Sequence, residues 1–440
     1  MPEARRERPA ATHLAPRAAR RVLLLLTMTR WLPIGFIVGL FILWKLERGL
    51  TLSQAMSAAA VTGLVVFATE LPTAGIADSL GRRPVLVLAA AVNVLSALTL
   101  LLASSFAAFV LAAALTGLFR ALDSGPLEAW YVDTIHVSRP GADVARDLSR
   151  MSGVLGASIA AGSLAASGLV AWHPLTGRSP LWLPVAICLA LSVVHLVAVL
   201  ALLREPARLD ERGFAAARRS VTEAPAVIGS GLALLRDNAV LRGLVLVELF
   251  AAVSMITFEN FMPVRLAELA GGEADAAVIM GPVAAGGWLV FAVGAAVAGR
   301  VSERIGVAGT AILGRVLNSL GAMTMGLAFG PAALVATYFV TYSMHGFGGP
   351  AYNALLHREA TARNRATVLS LASMTMFVAF AAASPLLGLL AEHTSTPVGM
   401  VLSGAFGLGG VVCFLPALRA ERARAALLPR EPAPARAEAS

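Results

Sequence analysis

Lysine is almost missing from this chain: Lys45 stands alone against 34 arginines in 440 residues. With abundant alanine, that imbalance reflects a GC-rich coding sequence rather than a function. Charge of any kind is scarce, at 14% of residues, where a soluble domain carries roughly 25%. Hydrophobic residues make up 58% and the mean hydropathy is +0.76, so water is not the main solvent. The two cysteines, Cys188 and Cys413, both lie in apolar runs, which excludes a disulfide framework and a Cys/His metal spacing. A phosphate-cradling G-x4-G-K-[ST] is lacking, which speaks against ATP-driven transport. No Ser/His/Asp or metal-ligand set supports an enzyme or a cofactor.

What the chain has is long apolar runs. A membrane-crossing helix needs about 20 mostly apolar residues. Twelve windows fit: 22–44, 54–76, 84–103, 107–132, 149–171, 181–203, 242–264, 276–299, 307–329, 332–355, 366–390 and 397–418. The expected fold class is an all-α integral membrane protein with twelve transmembrane helices in two six-helix bundles, residues 21–203 and 242–418. The flanks are expected to be a disordered cytoplasmic arm (1–20), a cytoplasmic linker (204–241) and a cytoplasmic tail (419–440). The run after Arg20-Arg21 is too long for a signal peptide and lacks a small-residue cleavage site, so it reads as a first span.

The net charge of +9 invites a nucleic-acid reading, but its placement rejects one. Of the 35 Lys and Arg, 28 fall in the termini and alternate connections on one side, and four (Lys45, Arg48, Arg178, Arg265) on the other. That is the positive-inside rule, and it puts both termini in the cytoplasm of a cell-membrane protein. Trp31, Trp44, Trp172 and Trp182 lie near span ends and read as interfacial anchors.

The halves look like repeats. Asp78-x-x-Gly81 recurs as Glu303-x-x-Gly306, and Gly125-Pro126 as Gly349-Pro350, at offsets of 225 and 224. Residues 70–86 read E-L-P-T-A-G-I-A-D-S-L-G-R-R-P-V-L, a charged, glycine-punctuated turn between two spans. Gly75, Asp78, Gly81, Arg82 and Arg83 follow the pattern G-x-x-A-D-x-x-G-R-R. This resembles the loop between the second and third helices of major facilitator superfamily transporters. The resemblance implies that Asp78 latches against the N-terminus of the eleventh helix, near Arg365, a favourable place for an anion. One of the two arginines is positioned to pair with Asp133.

The fourth span carries R-A-L-D-S-G-P-L-E. Arg120 sits near mid-membrane, where an unpaired arginine costs about 2.5–3.5 kcal/mol on insertion scales. At 100° per residue, Asp123 and Glu128 lie about 60° and 80° to either side, so all three can face one polar cavity. This run resembles the fourth-helix signature of drug-efflux members, in which an arginine assists proton transfer. The fifth span has Gly153, Gly162 and Ala166-Ser167-Gly168, a partial match to an antiporter signature whose other reading is small-residue packing. Glu70-Leu71-Pro72 resembles a multidrug-type motif. Its carboxyl either titrates or caps a helix made irregular by Pro72.

Arg30 either joins the cavity or snorkels to the headgroups. The first span has no acidic residue, unlike some drug-efflux relatives. Glu248, Glu259 and Asn260 interrupt the seventh span, and an intramembrane carboxyl can carry a proton. Arg315, Asn318, His345 and Asn353 are further polar residues of the second half.

The resemblance implies a monomeric secondary transporter moving a small molecule by alternating access, with protons and the lipid bilayer as partners. The drug:proton antiporter branch is the first expectation, with Asp123, Glu128 or Glu259 as proton carrier. Proton-coupled uptake of a sugar, organic acid or other metabolite is the alternative. A sensor that has lost transport is disfavoured by the intramembrane charges.

Overall fold

The computed structural model describes residues 14–204, 229, 231–361 and 364–427, with the side chains of 71, 74–79 and 366 outside that description. The expected arm up to residue 13, residues 205–228 of the linker and the tail beyond residue 427 therefore lie outside the described residues.

The first half of the chain is helical throughout. Its elements are α1 (Pro16–Val38), α2 (Phe41–Glu47), α3 (Leu52–Leu80), α4 (Arg82–Leu102), α5 (Phe106–Asp123), α6 (Pro126–Ser138), α7 (Ala145–Trp172) and α8 (Trp182–Leu202). The second half comprises α9 (Ala239–Ile256), a π-helical turn (Thr257–Phe261), α10 (Met262–Ala270), α11 (Glu273–Ile305), α12 (Val307–Gly326) and α13 (Pro331–Glu359). It closes with α14 (Arg365–His393), α15 (Thr396–Leu408), α16 (Gly410–Cys413) and α17 (Leu415–Ala426). Ten helices among the described residues are long and apolar enough to cross a membrane. The helices α12 and α13 are not among the ten, because Arg315, Asn318, His345 and several threonines dilute their apolar character.

Local chemistry sets the ends. Thr51 caps α3 through a reciprocal box with Gln54, and Asn238 Oδ1 accepts from the amides of Val240 and Leu241 at the start of α9. Each satisfies amides that a helix start leaves unpaired. The turn expected over residues 75–83 contracts to one residue. Gly81 takes φ 97° and ψ 159°, which lets α3 run to Leu80 and α4 begin at Arg82. Gly306 adopts nearly the same geometry, φ 81° and ψ 165°, between α11 and α12. A side chain is strained at such angles. The second repeat match behaves differently: Gly125 sits at φ 91° and splits the fourth span into α5 and α6, whereas Gly349-Pro350 lies inside an unbroken α13.

The core is shared at one end and divided at the other. Away from the chain termini, one buried cluster draws Phe36, Trp44 and Val185 from the first half together with Phe261, Met280 and Tyr338 from the second. Trp44 belongs to this core, fully buried with its indole donating to the Leu100 carbonyl at 3.0 Å, and is not an interfacial anchor. Toward the termini the described clusters are separate, one around Leu23, Trp130 and Tyr131, the other around Leu244, Leu356 and Phe414.

The halves join chiefly through α3 with α14 and α7 with α11, and α2 also touches α10 and α11. At the shared end, the Glu392 carboxylate accepts from the Ser53 amide at 2.7 Å and the Ser53 hydroxyl at 2.9 Å. Ser167 Oγ donates to the Ala277 carbonyl and accepts from the Gly281 amide, each at 2.8 Å. Those two backbone groups are one helical turn apart, so the hydroxyl of one half is inserted into the hydrogen-bond ladder of the other.

Candidate functional site

A cavity of about 470 Å³ lies between the halves, within the range of organic-ligand pockets. Its walls are largely apolar, with Ile37, Met376, Phe377 and Phe380 among them. The polar groups are few: Arg120 and Thr116 from α5, Glu259 and Asn260 from the π-turn, Lys45 from α2 and Thr62 from α3. The wider π-turn inserts a residue into the helical register, which turns Glu259 and Asn260 toward the cavity below Pro263.

Two of these groups carry opposite charge and no partner. Among the described residues, neither Arg120 nor Glu259 forms a hydrogen bond or an ion pair, and both are exposed to the cavity. Arg120 lies 5.7 Å from the Phe377 ring centroid, near the outer limit of a cation–π contact. Asn260 Nδ2 is buried without a hydrogen-bond partner. Lys45 is satisfied instead: its ammonium donates to the Ala55 carbonyl at 3.2 Å and sits 4.1 Å from the Phe41 ring centroid. Read from sequence as a loop charge on the far side, Lys45 is 1% exposed.

A second cavity of about 270 Å³ lies within the first half and shares Arg120 with the central one. Asp123, Glu128 and Arg30 also line it, so the three charges expected on one face of the fourth span do meet. The pairing differs from that expectation. Asp123 Oδ2 accepts from Arg30 Nε at 2.7 Å, and Arg120 remains apart. The Arg30 guanidinium is 4.1 Å from the Phe119 ring centroid and 4.6 Å from that of Trp31, and its side chain is 7% exposed. It is a buried ion-pair partner and does not snorkel. Glu128 stands exposed in the first turn of α6, opposite the helix break, where the helix dipole favours an anion.

The remaining predicted residues fall elsewhere. Glu70 is half-buried on α3, with Oε2 lacking a hydrogen-bond partner; it lines none of these cavities. Gly75 and Asp78 lie within α3, so Asp78 sits on its last turn rather than past its end, and its side chain is outside the described residues. Arg82 Nε is 3.9 Å from Asp133 Oδ2, and Arg83 donates to the Leu200 carbonyl at 3.2 Å.

In the fifth span, Gly162 packs face to face with Gly35: a Cβ on Gly162 would come within 2.6 Å of the Leu32 carbonyl. Gly153 has nothing within 4 Å of its Cβ position. The glycine at 162 is thus explained by the crossing of α1 and α7, as small-residue packing. Sequence reading missed the cavity roles of Lys45, Phe377 and Phe380. Lys45 gave one usable signal, as the chain's one lysine beside an apolar span; the phenylalanines gave none.

Comparison with known proteins fits this architecture. The Major Facilitator Superfamily profile matches residues 23–348 and 283–439. The chain belongs to the major facilitator superfamily. It is a multi-pass membrane protein and a secondary transporter of a small molecule, not an enzyme. A search of curated proteins finds no match.

Among solved structures it is similar to the nucleoside transporter NupG, at 13% identity and a TM-score of 0.73 over 91% of this chain and 99% of that one. A POT family transporter in complex with 5-aminolevulinic acid matches at 15% identity and TM-score 0.67, over 92% and 96%. The human organic anion transporter MFSD10 matches at 16% identity and TM-score 0.60, over 91% and 100%.

The multidrug-antiporter expectation is corrected by these findings, because the similar structures are of a nucleoside transporter and of proton dependent oligopeptide transporters, not of multidrug antiporters. The residues agree with the correction: the fifth span matches the antiporter signature only in part, and its Gly162 is accounted for by packing against Gly35.

Proposed function

We propose that the chain imports a small dipolar metabolite together with protons, by alternating access of two six-helix bundles that cross the membrane twelve times. The observation that carries this reading is the central cavity, in which Arg120 and Glu259 face one largely apolar space without an ion pair or hydrogen bond to each other or to another described side chain. In a medium of low dielectric, opposite charges left apart are matched by a ligand that brings an anionic group to Arg120 and a cationic or donor group to Glu259. A purely apolar ligand would leave both charges uncompensated. The POT structure in complex with 5-aminolevulinic acid, a molecule of that dipolar kind, supports the choice of probe.

The shared core at the far end closes the cavity there, and the separate cores toward the termini are where the halves part. With cytoplasmic termini this is an inward-facing arrangement. In the outward-facing state Asp78, at the end of α3, latches against the start of α14. Glu259 is engaged with substrate in this reading and Asp123 with Arg30, which leaves the coupling proton to another carboxyl.

The test is uptake of labelled 5-aminolevulinic acid, uridine and a dipeptide by proteoliposomes holding the full chain, with the outside acidified. Accumulation of a dipolar probe, abolished by a protonophore and by Arg120→Gln and slowed by Asp78→Ala, is the expected outcome. Equal uptake with and without the gradient would overturn proton coupling, and preferential uptake of neutral uridine would overturn the dipolar substrate.

A further inference from the structure

The second half holds a small cavity, bordering the central one at Met255 and Met376, that substrate binding leaves unused. It measures about 110 Å³ and is walled by Glu248 of α9, Arg315 and Asn318 of α12, and His345 and Tyr352 of α13. At a share of about 30 Å³ per water, it admits on the order of three or four waters. Organic-ligand pockets start near 300 Å³, so its occupant is water-sized. A metal cation does not suit it. The cavity offers one carboxylate beside a guanidinium, whereas hard cations take about six or more oxygen ligands. No metal-holding group of three acidic, His or Cys side chains exists among the described residues.

The charges here are held apart. Arg315 Nε is buried with no hydrogen-bond partner, and no ion pair within 4.0 Å joins it to Glu248. Tyr352 Oη donates to the Leu244 carbonyl at 3.2 Å and is also the hydrogen-bonding neighbour of the Glu248 carboxyl. The charged and titratable groups facing Glu248 are Arg315 from α12 and His345 and Tyr352 from α13; Met376 of α14 and Phe414, between α16 and α17, close the remaining wall. In the first half, by contrast, Asp123 could take a proton only by giving up its 2.7 Å contact with Arg30.

We propose that Glu248 is the carboxyl that binds the coupled proton, in a small cavity of the second half that adjoins the substrate cavity at Met255 and Met376. This rests on the proton-coupled reading above. A proton relayed from bulk hydronium leaves its water as it forms one O–H bond on Glu248, so neutral water is released and Arg315 keeps the net charge of the cavity. Release restores the carboxylate and draws Arg315 toward it. Because the two sit on α9 and α12, the proton's presence changes how these helices pack against α13.

Infrared difference spectra of the full chain in lipid, recorded across pH, test the site without requiring transport. The expected result is a protonated-carboxyl C=O band that titrates, is lost in Glu248→Gln, and returns shifted in Glu248→Asp. Glu259→Gln and Glu70→Gln should leave it in place. A band that survives Glu248→Gln, or vanishes with Glu259→Gln or Glu70→Gln instead, overturns the proposal, as does the lack of any titrating band. Thermal unfolding of each variant confirms that it is folded. In proteoliposomes, Glu248→Gln should lose gradient-driven accumulation of 5-aminolevulinic acid. If the wild-type protein accumulates no probe, the import reading fails while the infrared result still decides the proton site.

Discussion

In the first half, Arg30 lies between Trp31 and Phe119 and touches Asp123; in the second, Arg315 shares a small cavity with Glu248 without touching it. Both solutions keep a guanidinium inside an apolar bundle, but they respond differently to a proton. A closed pair resists a change of charge, because losing one partner strands the other. In the open pair the neighbour of the carboxyl is Tyr352 rather than the guanidinium, so a proton on Glu248 breaks no ion-pair contact. The backbone shows the same division. Gly81 and Gly306 make the same one-residue turn in both halves, whereas Gly125 breaks its span and Gly349 does not. The repeat thus persists in the turns and has diverged around the charges.

The largest effect should come from breaking the closed pair. Asp123→Leu leaves Arg30 buried alone and should cost about 3–5 kcal/mol of stability, much of it recovered in the Arg30→Leu/Asp123→Leu double variant. Thermal unfolding in detergent measures this. An equally costly Glu248→Gln would erase the contrast between the halves.

Next comes the helix crossing within the first half. Gly162→Leu must push α7 from α1 and should cost roughly 1–3 kcal/mol, while Gly153→Leu, facing open space, should be neutral in the same assay. Smallest is the backbone pair. Gly125→Ala, at φ 91°, should destabilise by roughly 1–2 kcal/mol, and Gly349→Ala, in a continuous helix, should stabilise by about 0.5–1 kcal/mol. Equal responses would mean that the two spans are built alike after all.

The membrane class, the family and the helix order were legible because apolar runs of span length and a charged turn at residues 75–83 are local signals. So was part of the fourth span's polar face: Arg120 and Asp123 follow helical spacing within α5, whereas Glu128 reaches the same cavity across the break at Gly125. The partner of Asp123 was not legible, because Arg30 is 93 residues away and only the crossing of spans brings it near. The branch was misread for a related reason. Gly162 matched a signature of function while serving a close approach to Gly35, and one sequence does not distinguish those uses of glycine. The π-turn at Glu259 escaped too, since one residue of excess register leaves no mark in an apolar run.

Lys45 carries the chain's single ε-amine, and the closed end of the bundle hides it beneath Phe41 and the Ala55 carbonyl. In the alternating-access cycle proposed above, the amine would meet solvent when that end separates and be withdrawn when it closes. An acylating reagent added from outside would therefore mark one side-chain nitrogen at a rate set by the opening itself. The scarcity of lysine gives the protein a built-in clock for its own conformational cycle.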